Sequence, residues 1–132
     1  MKRRPIGKKT TIDGMMFDSL AEGQRYTELK AMQAAGKISE LICHPKWDLI
    51  ENPVLLPEQI RDTVYSGKKM TNKLTFEADF AYLENGRQIV EDVKGKITKS
   101  NYKFVLKEAW LVRFKMWLSL YGEWNEFRII QK

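Results

Sequence analysis

Asn85-Gly86 lies between two runs in which apolar and polar residues alternate, Leu74 to Leu83 and Gln88 to Val93. Asn-Gly accepts the positive φ angles of a tight type I′ turn, so the spacing predicts a β-hairpin. With both residues in the turn, Glu84 pairs with Arg87 and Leu83 with Gln88. Counting outward, Asp79 opposes Asp92. Side chains directly opposite each other lie ~4.5–5.5 Å apart at Cβ. Two carboxylates at that distance repel by about 1 kcal/mol in water and about 4 kcal/mol at an effective dielectric of ~20. A pair kept in the centre of a hairpin calls for a cation, and a divalent metal is the natural candidate.

Strand alternation puts Asp92 and Lys94 on one face and Glu91 and Val93 on the other. On the partner strand Glu77 and Asp79 share the acidic face, while Phe76, Ala78, Phe80 and Tyr82 form an aromatic face for the core. Glu77 then falls opposite Lys94, as its expected ion-pair partner or as a group that supports the metal ligands, and Glu91 is expected to be structural. A three-residue turn would slip this register by one.

At 132 residues with 43% hydrophobic content, the chain is long enough for one domain with a true core. The chain divides into a basic arm, 1–15, and a single expected domain, 16–132. No apolar run approaches the ~20 residues of a membrane span. The basic start MKRRPIGKK is not followed by the apolar stretch of a secretory signal. One cysteine, Cys43, cannot make an internal disulfide, which fits the cytoplasm. One cysteine with one histidine, His44, also excludes a Cys/His zinc site within the chain. Cys43-His44 closes an apolar run and is expected in packing at a strand end.

Net charge is +6, with a pI near 9.4, and the cations are clustered. Arg3 and Arg4 lie in the arm, Lys68, Lys69 and Lys73 precede the hairpin, and Lys96, Lys99, Lys103 and Lys107 follow it. An acidic centre bracketed by cations suits a polyanion that brings or shares a divalent metal, which means nucleic acid.

Elsewhere, Ile12-Asp13-Gly14 reads as a turn, and Ser19-Leu20-Ala21-Glu22 as the capping box of a helix stopping before Gly36. Ile38 to Cys43 and Lys46 to Ile50 are strand candidates separated by Pro45. Asn52 to Asn72 is the longest irregular stretch, within which Leu56 to Val64 could form a short helix. A loop from Gly95 to Lys99 leads to a long helix capped by Ser100 and ending at Gly122. Its expected apolar face includes Tyr102, Val105, Leu106, Ala109, Val112, Met116 and Leu120. Trp110 and Trp117 in this helix are read as core residues, not base-stacking platforms. Glu123 to Gln131 is the closing strand.

This order resembles the PD-(D/E)XK nuclease superfamily, whose core is a helix, a β-meander, a helix and a further strand. Asp79 matches the first acid, Asp92-Val93-Lys94 matches (D/E)-x-K, and Ala78 stands where the naming proline would be. Glu22 fits the third acid of the resolvase-like branch. Phe17 to Glu22, Gly36 to Pro45 and Val90 to Gly95 are most similar to small phage and prophage endonuclease-like proteins related to Holliday-junction resolvases. The expected fold is α/β (α+β), a restriction-endonuclease-like mixed sheet flanked by helices.

The resemblance implies an Mg²⁺-dependent DNA endonuclease, with Mn²⁺ able to substitute, acting on branched or Holliday-junction DNA in phage recombination. Asp79, Asp92, the Val93 carbonyl and Glu22 would hold the metal, and Lys94 would stabilise transition-state charge. The basic clusters would grip DNA backbone phosphates. A homodimer would bring two such sites to a junction, with no membrane and no small-molecule cofactor. The rival readings are a nuclease with a duplex, DNA-end or RNA target, and a non-catalytic nucleic-acid-binding or regulatory protein on the same fold.

Overall fold

The computed structural model describes residues 9–51, 54–60 and 73–132. The first elements are a hairpin, β1 (Thr10–Ile12) and β2 (Met15–Phe17), followed by α1 (Leu20–Ala34). Asp13 and Gly14, at φ 51° and 76°, make the hairpin turn. This hairpin spans the position that divides arm from domain in the sequence. It lies so close to α1 that a Cβ on Gly23 would sit 2.5 Å from Thr10 Cγ2. The Ser19 hydroxyl accepts the Glu22 N–H at 3.1 Å, forming one half of the expected capping box.

Then come β3 (Ser39–Cys43), β4 (Lys46–Ile50), β5 (Leu74–Glu77), β6 (Phe80–Glu84) and β7 (Arg87–Lys94). Two helices, α2 (Tyr102–Val105) and α3 (Glu108–Tyr121), cross over to β8 (Asn125–Gln131). The main sheet has the order β3-β6-β7-β8, with β8 parallel to β7 and the other pairs antiparallel. The fold is α+β with a mixed sheet, and no helix among the described residues is long and apolar enough to cross a membrane.

The β6–β7 register is the one the Asn85-Gly86 turn dictates: Glu84 opposes Arg87, Leu83 opposes Gln88, and Phe80 opposes Glu91. Both turn residues have positive φ, 52° and 77°. The run from Leu74 to Leu83 is nevertheless two strands, because the chain bends at Ala78-Asp79. The run through β3 and β4 bends at the same level, at His44-Pro45. His44 adopts φ 55°, and Pro45 has no N–H to continue a ladder. The two bends are tied together: His44 N–H donates to the Asp79 carbonyl at 2.9 Å, and Ala78 N–H to the Pro45 carbonyl at 3.0 Å. Beyond this corner β4 and β5 form a separate two-stranded sheet. Glu77 therefore pairs with Lys46, not Lys94.

The main sheet is buried on both faces, which corrects the expected division into an aromatic and an acidic face. Phe80, Tyr82 and Ile89 pack with Phe17, Tyr26, Leu29 and Ile38 on the α1 side. Phe76 and Ala78 instead join Ala81, Val90, Leu49 and Trp117 on the α3 side. The bend separates residues that a continuous strand would have kept together.

The single helix expected from Ser100 to Gly122 is broken at Leu106-Lys107, where the backbone turns extended. Asn101, not Ser100, precedes α2, and its Oδ1 accepts the Thr98 N–H at 2.7 Å. The inward stripe of α3 is Trp110, Phe114, Trp117 and Tyr121. Val112 and Leu120, expected on that stripe, are 52% and 46% exposed. The aromatic stripe wins because each ring buries far more area against the sheet than a valine or leucine.

On the opposite face, Glu91 is fully buried and Arg25 of α1 grips it with two parallel N–H···O bonds of 2.8 and 2.7 Å. Tyr82 donates its hydroxyl to the same carboxylate. Removing one partner of such a pair leaves a buried charge uncompensated. Arg25→Ala should lower stability by about 3–5 kcal/mol in urea unfolding, and Trp117→Ala by about 3–5 kcal/mol through the cavity it leaves.

Candidate functional site

The corner between the two sheets is where the acidic residues meet. Asp79 sits in the bend, and its N–H donates to the Glu91 carbonyl at 3.0 Å and to Asp92 Oδ1 at 2.9 Å. Asp79 Oδ2 in turn accepts the Val93 N–H at 2.7 Å. Each aspartate thus takes a backbone N–H from the other's strand. Backbone N–H groups thus help to hold the pair together. Trp110 of α3 adds a third, its Nε1–H donating to Asp92 Oδ2 at 2.8 Å.

These donors do not fully offset burial. Asp92 is 3% exposed, and burial followed by the Asp79 charge raises its pKa from 3.8 to about 7, against the lowering pull of Lys94 and Trp110. Burial raises Asp79 as well, opposed by the Val93 N–H and by Lys94. Lys94 Nζ lies 3.9 Å from Asp92 Oδ2 and 4.8 Å from the centre of the Trp110 ring. A strand residue's N–H and C=O point toward the same neighbour. The Val93 carbonyl therefore faces the Asp79 side, where β5 has peeled away.

Glu22 reaches the corner from the first turn of α1. It is 5% exposed, and its Oε1 is buried with no hydrogen-bond partner. Burial, then the Asp79 charge, raises its pKa from 4.5 to about 7. A capping role alone would not orphan a carboxylate oxygen. His44, expected merely to pack, completes the cluster: Glu22, His44 and Asp79 each offer a ligand atom, all within 4.8 Å of one another. His44 Nε2 is 3.7 Å from Glu22 Oε1, and Nδ1 is 3.7 Å from Glu77 Oε1.

Glu22, Asp79, Asp92 and Lys94 are therefore brought together, while Glu91 is turned away into its ion pair with Arg25. Lys96, Lys99, Lys103 and Lys107 are exposed on the segment that continues from Lys94. Lys73 is exposed but pairs with Asp48 at 3.3 Å. Arg3, Arg4, Lys68 and Lys69 lie outside the described residues. The sequence reading missed His44 and Trp110 as site residues. The available signal for His44 was its place before Pro45, at the end of one strand and level with the start of another.

A family model matches residues 3–121. The chain belongs to the DUF1064 family. That family is described only as proteins of unknown function. No curated protein and no solved structure matches this DUF1064 chain. The geometry of the corner is accordingly the ground for any functional reading.

The raised carboxyls have a consequence for stability. The folded chain keeps protons on Glu22 and Asp92 that the unfolded chain releases at its ordinary values of 4.5 and 3.8. Their contribution is full below about pH 4 and is lost as pH rises through about 7. In EDTA, urea unfolding should show stability falling by roughly 5 kcal/mol from this source between pH 5 and pH 8. Glu22→Gln and Asp92→Asn should each flatten that slope.

Proposed function

We propose that this protein is an Mg²⁺-dependent DNA endonuclease of the PD-(D/E)XK type, selective for branched or junction DNA. The observation that carries the proposal is the orphaned, buried oxygen of Glu22, in one cluster with Asp79 and His44, with Asp92 bonded to Asp79 and Lys94 beside Asp92. Three carboxylates with raised proton affinity at one corner make a site that a divalent cation would stabilise by replacing those protons.

The donor set fits a hard cation. Asp79, Asp92, Glu22 and the Val93 carbonyl offer oxygen, which Mg²⁺ takes along with retained waters and substrate phosphate. Mn²⁺ would fit the same donors. Bound there, the ion would supply Lewis acidity toward a phosphate oxygen and would make water a stronger acid.

The protein's own groups do the rest. Trp110 holds Asp92 in one orientation, and the Asp79–Val93 bond fixes the second acid, so neither has to reorganise when substrate arrives. Lys94, resting over Trp110, can donate to a phosphate oxygen and offset the charge that builds in the transition state. Water attacking in line would break the phosphodiester, leaving by resemblance a 5′-phosphate and a 3′-hydroxyl. Exposed Lys96, Lys99, Lys103 and Lys107 would hold backbone phosphates without reading sequence. Paired cuts across a junction would need a homodimer carrying two sites.

Purified protein should nick supercoiled plasmid and cut a four-way junction with Mg²⁺ or Mn²⁺ and not with EDTA, the junction being preferred. Asp92→Ala and Lys94→Ala should each slow cutting by about 10²–10³-fold, with DNA binding retained in Lys94→Ala. Binding without metal-dependent cutting by the wild type would overturn the enzyme reading in favour of a non-catalytic DNA-binding protein. Cutting that survives Asp92→Ala would instead overturn the site assignment.

A further inference from the structure

His44 is built into the corner more firmly than a surface histidine would be. Its backbone is held by the Asp79 carbonyl at 2.9 Å, and its ring lies against Phe17 with centroids 5.9 Å apart. One ring nitrogen faces Glu22 and the other faces Glu77, each at 3.7 Å. Two donors bound to one ion at ~2.1 Å lie about 3.0–3.6 Å apart for angles of about 90–120°. The Glu22–His44 spacing of 3.7 Å is close to that, and the group as a whole, spread over up to 4.8 Å, would draw in by about 1 Å on binding an ion. Glu22 Oε1, buried and without a hydrogen-bond partner, is the second observation that points to a ligand here.

We propose that Glu22, His44 and Asp79 form a three-donor site for a first-row transition dication, with Glu77 as the carboxylate that orients the His44 ring. The site rests on the same cluster as the nuclease reading but not on any cutting activity. Mg²⁺ takes oxygen ligands, whereas neutral imidazole favours transition ions, so the nitrogen of His44 biases the corner toward the latter. A metal-bound histidine commonly gives its other N–H to a carboxylate, which fixes the tautomer and the ring orientation. With Nε2 toward the ion, Nδ1 would need to close from 3.7 Å to hydrogen-bond length on Glu77 to complete that arrangement. Glu77, expected beside Lys94, has this role because β5 turns away at the bend and carries it to His44.

The test uses the untagged full-length chain and Co²⁺. His44 is the only histidine, so a paramagnetically shifted, exchangeable imidazole proton in the Co²⁺-loaded protein can come from no other residue. The wild type should show one such proton resonance and bind Co²⁺ at least about tenfold more tightly than Mg²⁺ by calorimetry. His44→Asn should abolish the resonance and weaken Co²⁺ by about tenfold or more, with Mg²⁺ changed less than about twofold. Asparagine accepts the positive φ at this position, so the fold is kept. Glu77→Ala should weaken Co²⁺ about tenfold, and no change would remove Glu77 from the site. A Co²⁺-loaded wild type with no shifted resonance, or equal losses of both ions in His44→Asn, would overturn the three-donor site. Mg²⁺-dependent cutting without the resonance would leave the nuclease reading standing alone. The resonance without cutting would leave the ion site and remove the nuclease.

Discussion

Two segments of the chain turn from one sheet into another at the same level, and the polar groups exposed by that turn are taken up by carboxylates. Asp79 and Asp92 each accept an N–H from the other's strand, so the corner is closed by the residues that would otherwise repel across it. Most of the site follows from this exchange. It fixes both acids, and it leaves β5 free to carry Glu77 away from Lys94 and toward His44. It also turns the Val93 backbone toward the gap. The arrangement is bought with proton affinity, since the buried acids hold their protons toward neutral pH when no ion is bound.

Glu91 and Asp92 are neighbours on one strand, and burial treats them differently because their partners differ. Glu91 meets a guanidinium and a phenol on the α1 side, a complete set of strong donors. Asp92 meets a backbone N–H and an indole N–H on the α3 side, with the Lys94 ammonium 3.9 Å off. The first pairing stabilises structure and leaves nothing for chemistry. The second leaves an under-compensated carboxylate beside another, which is the condition under which a cation binds well.

Short-range features were legible in the sequence. Asn85-Gly86 set the β6–β7 register, so the apposition of Asp79 and Asp92 could be counted off, and Ser19 marked the start of α1. Features that depend on a partner segment were not legible. The bend at Ala78-Asp79 has no glycine or proline of its own; it is imposed by hydrogen bonds to the His44-Pro45 bend on another strand. That hidden bend misplaced Glu77, split the supposed aromatic face and concealed His44. In α3 an aliphatic and an aromatic stripe share one helix, and periodicity alone could not say which faces the sheet. Trp110 was thus read for its ring, while its N–H is what touches the site.

The clamp between Arg25 and Glu91 also sets an angular tolerance. Glu22 precedes Arg25 by three residues and so lies on the same face of α1. A side-chain group stands ~5–6 Å from a helix axis, so turning the helix by about 10° would swing the Glu22 carboxylate about 1 Å. Misplacement of that order costs a reacting site about a hundredfold. A bidentate guanidinium–carboxylate pair is among the contacts least tolerant of such a rotation. The buried ion pair, which takes no part in the proposed site, therefore aims the acid that the proposal places there.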